Sequence, residues 1–444
     1  METEIKLKAS PEDLERVLSL LEAEFVLSEP IETRHLHALY FDTPQRSLHK
    51  NGVALRVRKT PEGFIQTIKS EQKDGSLFTR GEWEMPVDGF APDLSGQGPL
   101  SGLPSDALAP LFETKVDRSQ CRVLFPDAEG SEIEIAVDRG TVSAEEAREP
   151  VSEIELELKS GSAADLFRLG EDLATRLPLQ VEVETKSARG YRLAGVAEPD
   201  WFKAGKLNLP NDLSLEQGMR YSLRAVIRQW LSNQTAAFEG RDSEGVHQMR
   251  VALRRLRSGF SFFKAYIPDP PLNEFRAEAK WVASSLGPAR DWDVFLEQTL
   301  ALVLAEHPND AGLEAVQQAA LRKQRDGYYQ ARLAMTSPRY TVFLMRLGGF
   351  VEKPDLTEGL AEERVEELGH PLQELAGKLL RKRRKQVRKA GKGFAKLSAD
   401  ERHQLRISLK KLRYAGDFFR DLYPKEEVKA FRKPMTRLLD HLGH

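Results

Sequence analysis

Charged residues alternate with apolar residues along five segments in the first 200 residues of the chain. These segments are GVALRVRK, GFIQTIKS, RGEWEMPV, SEIEIAVDRG and VSEIELELKSG, and glycine, proline or aspartate separates them. Alternation with a period of two predicts β-strands, because successive side chains of a strand point to opposite faces. The first half is therefore predicted to form a sheet, interrupted by helices at SPEDLERVLSLLEAE, capped by Ser10, and SAADLFRLGEDLATRL.

The charges on these strands come in sets that are mostly of one sign. The sets are Arg56 and Arg58; Glu82 and Glu84; Glu132, Glu134 and Asp138; and Glu153, Glu155 and Glu157. An open sheet could place them on a solvated, ion-paired face. A closed barrel would point them inward, where charged groups need bound ions or water. Periodicity alone leaves both arrangements open.

The pattern changes after the segment WFKAGKLNLPNDLSLEQG, which is predicted to be a linker. Long helical patterns follow, broken at IPDPP, LGPARD, TSPRY, LGGF and EKPD. Two domains are predicted, one over residues 1–203 and an all-α domain over residues 213–444. Net charge divides in the same way, at −14 for residues 1–214 and +12 for residues 215–444. Such asymmetry predicts cation binding in the first half and polyanion binding in the second.

The helical half contains an internal repeat. HQMRVALRRLRSGFSFF, from His247, matches HQLRISLKKLRYAGDFF, from His403, and 13 identities extend to Gly287 and Gly443. Each copy carries a histidine and three cations at positions i, i+3, i+7 and i+10, which share one helix face. The two sets are His247, Arg250, Arg254 and Arg257, and His403, Arg406, Lys410 and Arg413. Like charges on one face repel, so a bound polyanion would relieve this cost, although a solvated face is the usual fate of a charge run.

Carboxylates and cations from separate strands could form a metal and phosphate site. Carboxylate oxygens suit Mg²⁺, whereas arginine and lysine match phosphate oxygens. The carboxylates are those of Glu2, Glu4, Asp138, Glu153 and Glu155. The cations are those of Arg56, Arg58, Lys69, Arg80, Arg118, Lys186 and Arg189. Together they suit a substrate with several adjoining phosphates, and the sequence contains no GxxxxGK[ST], HExxH, CxxC or GxSxG motif.

The opening METEIKLK resembles the ExExK signature of the CYTH superfamily, the triphosphate tunnel metalloenzymes. The resemblance continues through LYFDTPQRSLHKNGVALRVRK, FIQTIKS, LFTRGEWE, SEIEIAVDRG, VSEIELELKSG and TKSARGYRL, over about residues 1–200. It implies an eight-stranded antiparallel β-barrel, a tunnel that binds a triphosphate and a divalent metal.

The resemblance also implies roles for single residues. Glu2, Glu4 and Lys6 are the implied catalytic set, with the two glutamates facing metal and the lysine contacting phosphate. Asp138, Glu153 and Glu155 are the second implied group of metal ligands. The implied phosphate contacts are Lys6, Arg56, Arg58, Lys69, Arg80, Arg118, Lys186 and Arg189. Glu82, Glu84, Glu132 and Glu134 are expected in the tunnel wall, and Glu157 is expected to be structural.

The helical half resembles the CHAD domain, which often follows a CYTH domain and binds inorganic polyphosphate through basic helix faces. HQMRVALRRLR, LGPARDWDVF and HQLRISLKKLRY carry this resemblance. The second copy ends without a counterpart of Arg290, Asp291 and Asp293. These three residues could be functional, but a cap at the start of a helix with local ion pairs is the favoured expectation.

The two resemblances together predict a Mg²⁺- or Mn²⁺-dependent inorganic triphosphatase that hydrolyses tripolyphosphate and carries a polyphosphate-binding domain. One alternative keeps the fold with an organic triphosphate as substrate, either thiamine triphosphate, a nucleoside triphosphate or ATP for cyclisation. Another is a non-catalytic protein that targets polyphosphate. Binding to nucleic acid or a membrane is not expected. The single cysteine, Cys121, excludes an internal disulfide, and a charged start without an apolar segment predicts a cytoplasmic protein.

Overall fold

The structure is a computed structural model that describes residues 2–71, 79–94, 108–125, 130–196, 201–203, 207–210 and 212–442. The chain forms two compact units. The first unit contains residues 1–201, 234–245 and 288–354, and the second contains residues 202–233, 246–287 and 355–444. Helical segments from the second half of the sequence therefore belong to the same compact unit as the strands. The predicted limits of 1–203 and 213–444 remain a prediction about domains as sequence units.

Nine strands build one sheet in the first unit. Their bounds are β1 (Glu2–Lys8), β2 (Glu32–Asp42), β3 (Val53–Thr60), β4 (Gly63–Glu71), β5 (Thr79–Val87), β6 (Ala109–Phe125), β7 (Ser131–Ala144), β8 (Ala147–Ser160) and β9 (Gln180–Val181). All five segments with an alternating pattern form strands, as predicted.

The strands pair in the order β5-β4-β3-β2-β6-β7-β8-β1-β9, and every pair is antiparallel. β1 also pairs with β5 at Glu2↔Arg80 and Thr3↔Thr79, so the first strand in this order contacts the eighth. The antiparallel sheet is confirmed. The strand count differs from the eight expected, because the short strand β9 adds to the far side of β1.

One face of the sheet is apolar and lies under two helices. The helices are α1 (Pro11–Glu24) and α3 (Ala163–Arg176), and they contact β1, β7 and β8. Ser10 caps α1 by accepting a hydrogen bond from the Asp13 amide at 3.0 Å, as predicted. The fully buried side chains of this layer include Ile5, Leu7, Leu14, Val17, Leu21, Ile133, Ile135, Ile154, Leu156, Leu166, Leu169 and Leu173. Alternation therefore turns the charged residues of the same strands to the opposite face.

The remaining helices of the first unit are short or come from the second half of the sequence. They are α2 (Ser47–Lys50), α4 (Lys186–Leu193), α6 (Gln234–Glu239), α9 (Gly287–Val294), α10 (Ala301–Glu306), α11 (Ala311–Met335) and α12 (Pro338–Glu352). A π-helix over Phe295–Leu300 connects α9 to α10.

Helices are the main elements of the second unit among its described residues. Its helices are α5 (Leu215–Leu231), α7 (Ser243–Phe262), α8 (Pro271–Ser285), α13 (Glu362–Leu368), α14 (Leu372–Ala390), α15 (Ala399–Phe418) and α16 (Lys425–His441). α7 and α15, the helices of the predicted repeat, have the same length of 20 residues. Their phenylalanines meet, with ring centroids of Phe262 and Phe418 5.2 Å apart. Among the described residues, no helix combines the length and the apolar character needed to cross a membrane.

Candidate active site

Three carboxylates converge on the charged face of the sheet. Asp138 on β7 lies opposite Glu153 on β8, and Glu155 follows two residues later on the same face. One carboxylate oxygen from each residue lies within 4.8 Å of the other two. Asp138 and Glu153 are 0% exposed, so water does not solvate their charges. Charges at this depth require partners of opposite sign.

Lysine and arginine side chains supply those partners. Lys186 Nζ lies 2.6 Å from Asp138 Oδ2, 2.6 Å from Glu153 Oε1 and 3.0 Å from Glu155 Oε1. Arg118 donates to both oxygens of Asp138, at 2.7 and 2.6 Å, and to Glu155 at 2.5 Å. The carboxylates and cations thus form one continuous ion cluster.

Strand β1 adds the ExExK residues to this cluster. Lys6 pairs across the strands with Glu155, and its ammonium group contacts the Glu155 carboxylate directly. The same ammonium group lies 3.2 Å from Glu4 Oε2, and Glu4 is buried. The side chains of Glu2 and Arg80 lie outside the described part of the chain, so their predicted roles stay predictions.

The charges of the cluster stabilise one another's ionised forms. Burial alone would raise the pKa of Glu155, but the charges of Lys186, Lys6 and Arg118 outweigh it and hold this pKa well below its usual value. Burial opposes the charged form of Asp138 in the same way, and Lys186 and Arg118 still lower its pKa. These carboxylates are therefore ionised at neutral pH and present oxygen ligands.

A second group of cations lies on strands β2 and β3. Tyr40 lies opposite Arg56 across the β2–β3 pair. Burial, followed by the charges of Arg56 and Arg118, lowers the pKa of Arg58 to about 9. Arg58 forms no salt bridge with any side chain in the part of the chain that the structure describes, and its buried Nε has no hydrogen-bond partner. A half-buried guanidinium in this state favours an anion that would complete its contacts.

Helix α4 positions two more of the predicted cations. Lys186 and Arg189 are three residues apart, so both project from one face of the helix. Arg189 Nη2 lies 2.6 Å from Glu153 Oε2 and 3.1 Å from Glu182 Oε2. The helix lies close against Phe112, because a Cβ added at Gly190 would fall 2.1 Å from that ring. Glycine at this position lets the helix approach the sheet.

The other predicted acidic residues lie in separate ion pairs. Lys69 lies 3.3 Å from Glu82, whereas Glu84 accepts a hydrogen bond from Thr67 at 2.8 Å and lies 4.0 Å from Arg56. Glu132, Glu134 and Glu157 belong to another set. Arg122 contacts Glu132 at 3.3 Å and Glu134 at 3.6 Å, and Lys159 contacts Glu134 at 3.2 Å and Glu157 at 2.8 Å.

The structure adds Tyr40 and Glu182 to the residues found from the sequence. Burial alone would raise the pKa of Tyr40, but the charges of Arg56 and Arg58 outweigh it and lower this pKa. Burial raises the pKa of Glu182 despite the nearby charge of Arg189. The alternation in the segment VEVE is the sequence signal for Glu182, but it spans only four residues and sits beside a two-residue strand.

The carboxylate group fits a hard divalent cation. Its donors are oxygens of Asp138, Glu153 and Glu155, with Glu4 joined to them through Lys6. Oxygen-only donor sets suit Mg²⁺ or Mn²⁺ rather than softer metals.

The basic faces of the two repeat helices approach each other in the second unit. The guanidinium groups of Arg254 on α7 and Arg413 on α15 each lie 5.4 Å from the ring centre of Tyr414. Arg254 and Arg257 are exposed, as is His403, whereas Arg406 and Lys410 are partly buried.

Arg250 differs from its neighbours on α7. Its Nη1 donates to the Ala283 carbonyl at 2.8 Å, in the last turn of α8. A cation at this place stabilises a helix end.

The predicted capping role of Arg290, Asp291 and Asp293 is wrong. The helix α9 begins earlier, at Gly287, and therefore contains all three residues. Asp293 is fully buried and accepts hydrogen bonds from Gln324 at 2.8 Å and Tyr328 at 3.2 Å. These bonds connect α9 to α11.

Comparison with known families follows the two halves of the sequence. The CYTH domain model matches residues 1–191, and the CHAD domain model matches residues 222–444. The chain belongs to the CHAD family and carries a CYTH domain. The site described above lies within the CYTH domain, and both repeat helices lie within the CHAD domain.

A curated relative and two solved structures are similar to parts of this CYTH–CHAD chain. An inorganic triphosphatase of Haemophilus influenzae is 35% identical over 200 residues, which are 43% of this chain and 54% of the relative. The chain thus spans about half the length of that relative. The CHAD domain of Ricinus communis is 29% identical, covers 55% of this chain and 78% of its own, and has a TM-score of 0.47.

The second structure is a Hippeastrum protein described as an adenylyl cyclase with a dominant triphosphatase activity. It is 19% identical, covers 45% of this chain and 98% of its own, and has a TM-score of 0.30.

Proposed function

We propose that the CYTH domain hydrolyses tripolyphosphate to diphosphate and phosphate with the help of Mg²⁺ or Mn²⁺. The observation that carries this proposal is the half-buried Arg58 guanidinium, which has no carboxylate partner among the described residues and lies beside the carboxylate group of Asp138, Glu153 and Glu155. An anion with several phosphates and its metal ion would complete both groups at once. The similarity to an inorganic triphosphatase supports the same chemistry.

The pairing of β1 with β5 supports closure of the strands into the expected tunnel. In that arrangement the charged faces of β1, β3, β6, β7 and β8 surround one interior. Enclosure lowers the local dielectric constant and strengthens each contact between a cation and a phosphate oxygen.

Asp138, Glu153, Glu155 and Glu4 are the residues that would hold the metal. When bound, the metal would lower the charge on the phosphoryl oxygens and provide an activated water. Arg56 and Arg58 would bind the phosphates on one side, and Lys6, Arg118, Lys186 and Arg189 would orient them on the other. The water oxygen bonds to the terminal phosphorus, the bond to the bridging oxygen breaks, and diphosphate leaves with the charge of that bond. One proton is released to solvent overall.

The substrate preference can be measured with purified full-length protein. We expect kcat/KM for tripolyphosphate to exceed the values for ATP and thiamine triphosphate by at least about tenfold. The reason is that the arginine and lysine side chains described in the site match phosphate oxygens. Hydrolysis should stop in EDTA and return with Mg²⁺ or Mn²⁺. A clear preference for ATP would contradict tripolyphosphate as the substrate and favour an organic triphosphate.

We also propose that the CHAD domain binds inorganic polyphosphate on the joined basic faces of α7 and α15. Arg254 and Arg413 flank one tyrosine ring, so cations from both repeat copies contribute to one surface. Mutual repulsion on this surface would be relieved by a flexible chain of phosphates. Because Arg254 and Arg257 are exposed, salt would screen their contacts with phosphate strongly.

This surface can be tested with matched charge changes. The double variant Arg254→Ala/Arg257→Ala should bind long-chain polyphosphate about tenfold more weakly than wild type, with a shallower salt dependence. The control is Arg276→Ala/Lys280→Ala, which removes the same charge from exposed positions of α8. If both doubles weaken binding equally, net charge and not this surface explains the affinity.

A further inference from the structure

Helix α12 completes the layer of helices that covers the sheet of the first unit. Gly348 of α12 lies against Phe167 of α3, where an added Cβ would fall 2.2 Å from the ring. Gly170 of α3 lies against Met345 in the same way, at 2.7 Å. Arg346 contacts Glu171 at 2.7 Å at the edge of this interface. The two helices therefore pack with their backbones close together, although 161 residues of sequence lie between the end of α3 at Arg176 and the start of α12 at Pro338.

Two side chains from the CHAD half of the sequence bind the backbone around β9. Thr341 of α12 donates from Oγ1 to the Leu179 carbonyl at 2.8 Å, and this bond is fully buried. Gln234 of α6 donates from Nε2 to the Val181 carbonyl at 3.0 Å. Tyr340 fixes the amide of Gln234 by donating to its Oε1 at 2.7 Å. Carbonyls before and within β9 thus depend on side chains from distant helices.

Strand β9 in turn contacts the active site by two routes. Its residues pair with β1 at Leu7↔Val181, and the Glu182 amide donates to the Lys6 carbonyl at 2.9 Å. The Glu182 carboxylate lies 3.1 Å from Arg189, which also contacts Glu153. Lys6 and Arg189 are both proposed phosphate contacts. The position of β9 therefore influences both.

We propose that Thr341 and Gln234 are positioning residues for substrate binding, acting through β9 on Lys6 and Arg189. This proposal rests on the proposed triphosphatase function. A buried hydroxyl bonded to the carbonyl of Leu179, the residue just before β9, helps to set the place of that strand, because its removal leaves the carbonyl unsatisfied. Helices α6 and α12, which come from the CHAD half of the sequence, then help to position the phosphate contacts of the CYTH site.

Thr341→Val in the full-length protein is the first test, because valine keeps the volume and removes the hydroxyl. We expect KM for tripolyphosphate to rise about fivefold with kcat within about twofold, since phosphate contacts shift while the reacting groups remain. Thr341→Ser should return KM to the wild-type value. The control is Thr175→Val on α3, whose hydroxyl donates to the Asp172 carbonyl of its own helix.

A merely structural role gives a different result. Partial unfolding reduces the amount of active enzyme, which lowers the apparent kcat and leaves KM unchanged. That outcome, or a KM of Thr341→Val equal to that of Thr175→Val, would overturn the proposal.

Hydrogen exchange separates this proposal from the proposed function. In Thr341→Val the Glu182 amide should exchange at least about tenfold faster than in wild type, and Thr175→Val should leave it unchanged. This readout does not depend on catalysis. If wild type fails to hydrolyse tripolyphosphate but the amide responds, the proposed substrate is wrong and the positioning of β9 stands. An unchanged amide in Thr341→Val overturns the positioning.

Discussion

Replacement of Glu155 by glutamine is expected to lower kcat/KM for tripolyphosphate by about a thousandfold or more. Glu155 contacts Lys6, Arg118 and Lys186 together, and it lies within the carboxylate group that would hold the metal. Glutamine keeps the shape of the side chain but removes its charge, so three cations lose a common partner and the metal loses a ligand. The loss should appear mainly in kcat, with a higher Mg²⁺ concentration needed for half-maximal activity.

Glu157→Gln is the matched control for this change. Glu157 lies two residues further along β8 on the same face, and it pairs with Lys159 outside the carboxylate group. We expect its activity to stay within about threefold of wild type, because a partly exposed ion pair contributes little. If Glu155→Gln keeps more than about a tenth of the wild-type activity with normal Mg²⁺ dependence, the assignment of Glu155 to the metal site is wrong.

Arg58→Met is expected to weaken substrate binding and to stabilise the fold at the same time. Burial and the charges of Arg56 and Arg118 oppose the cationic form of Arg58, as its lowered pKa of about 9 indicates. The group remains charged at pH 7.5, below this pKa, and can bind phosphate. Its removal should raise KM for tripolyphosphate about 30-fold through the loss of a charged contact. Relief of repulsion should raise the free energy of unfolding by about 1 kcal/mol.

Arg139→Met provides the opposite expectation from the other face of β7. Arg139 contacts Glu15 at 2.5 Å and donates to the Pro11 carbonyl at 3.0 Å. Its replacement should leave KM unchanged and should not stabilise the protein, since favourable contacts are lost. Steady-state kinetics and thermal unfolding of the two variants measure both quantities. Arg58→Met with lower Tm and unchanged KM would mean that Arg58 serves the fold alone.

Sequence patterns were sufficient where one element determines the outcome. Alternation along a strand determines which side chains share a face, so Glu153 and Glu155 could be placed together on one face of β8 without knowing the strand order. Ser10 and Pro11 likewise determine the start of α1 from local backbone chemistry.

Sequence patterns failed where the partner of a side chain lies far away in the sequence. Arg250 has the same spacing as its exposed neighbours, yet its guanidinium group binds the end of α8, which lies 33 residues away in sequence. Asp293 was misjudged because its partners, Gln324 and Tyr328, lie on a different helix. The grouping of residues 288–354 with the strands depends on packing between helices. Helical periodicity indicates which face of a helix is buried, but not which element covers that face.

The membership of α12 in the first unit has a consequence for synthesis on the ribosome. The last strand of the sheet ends at Val181, but this compact unit extends to Pro354. At about 5–20 residues per second, the ribosome needs roughly 10–35 s to add the segment between these residues. During that interval the nascent sheet has no α12 to cover α3. Phe167 then lacks its contact with Gly348, and the Leu179 carbonyl lacks its hydrogen bond from Thr341. The CYTH sequence is thus finished early in translation, whereas its core is finished late.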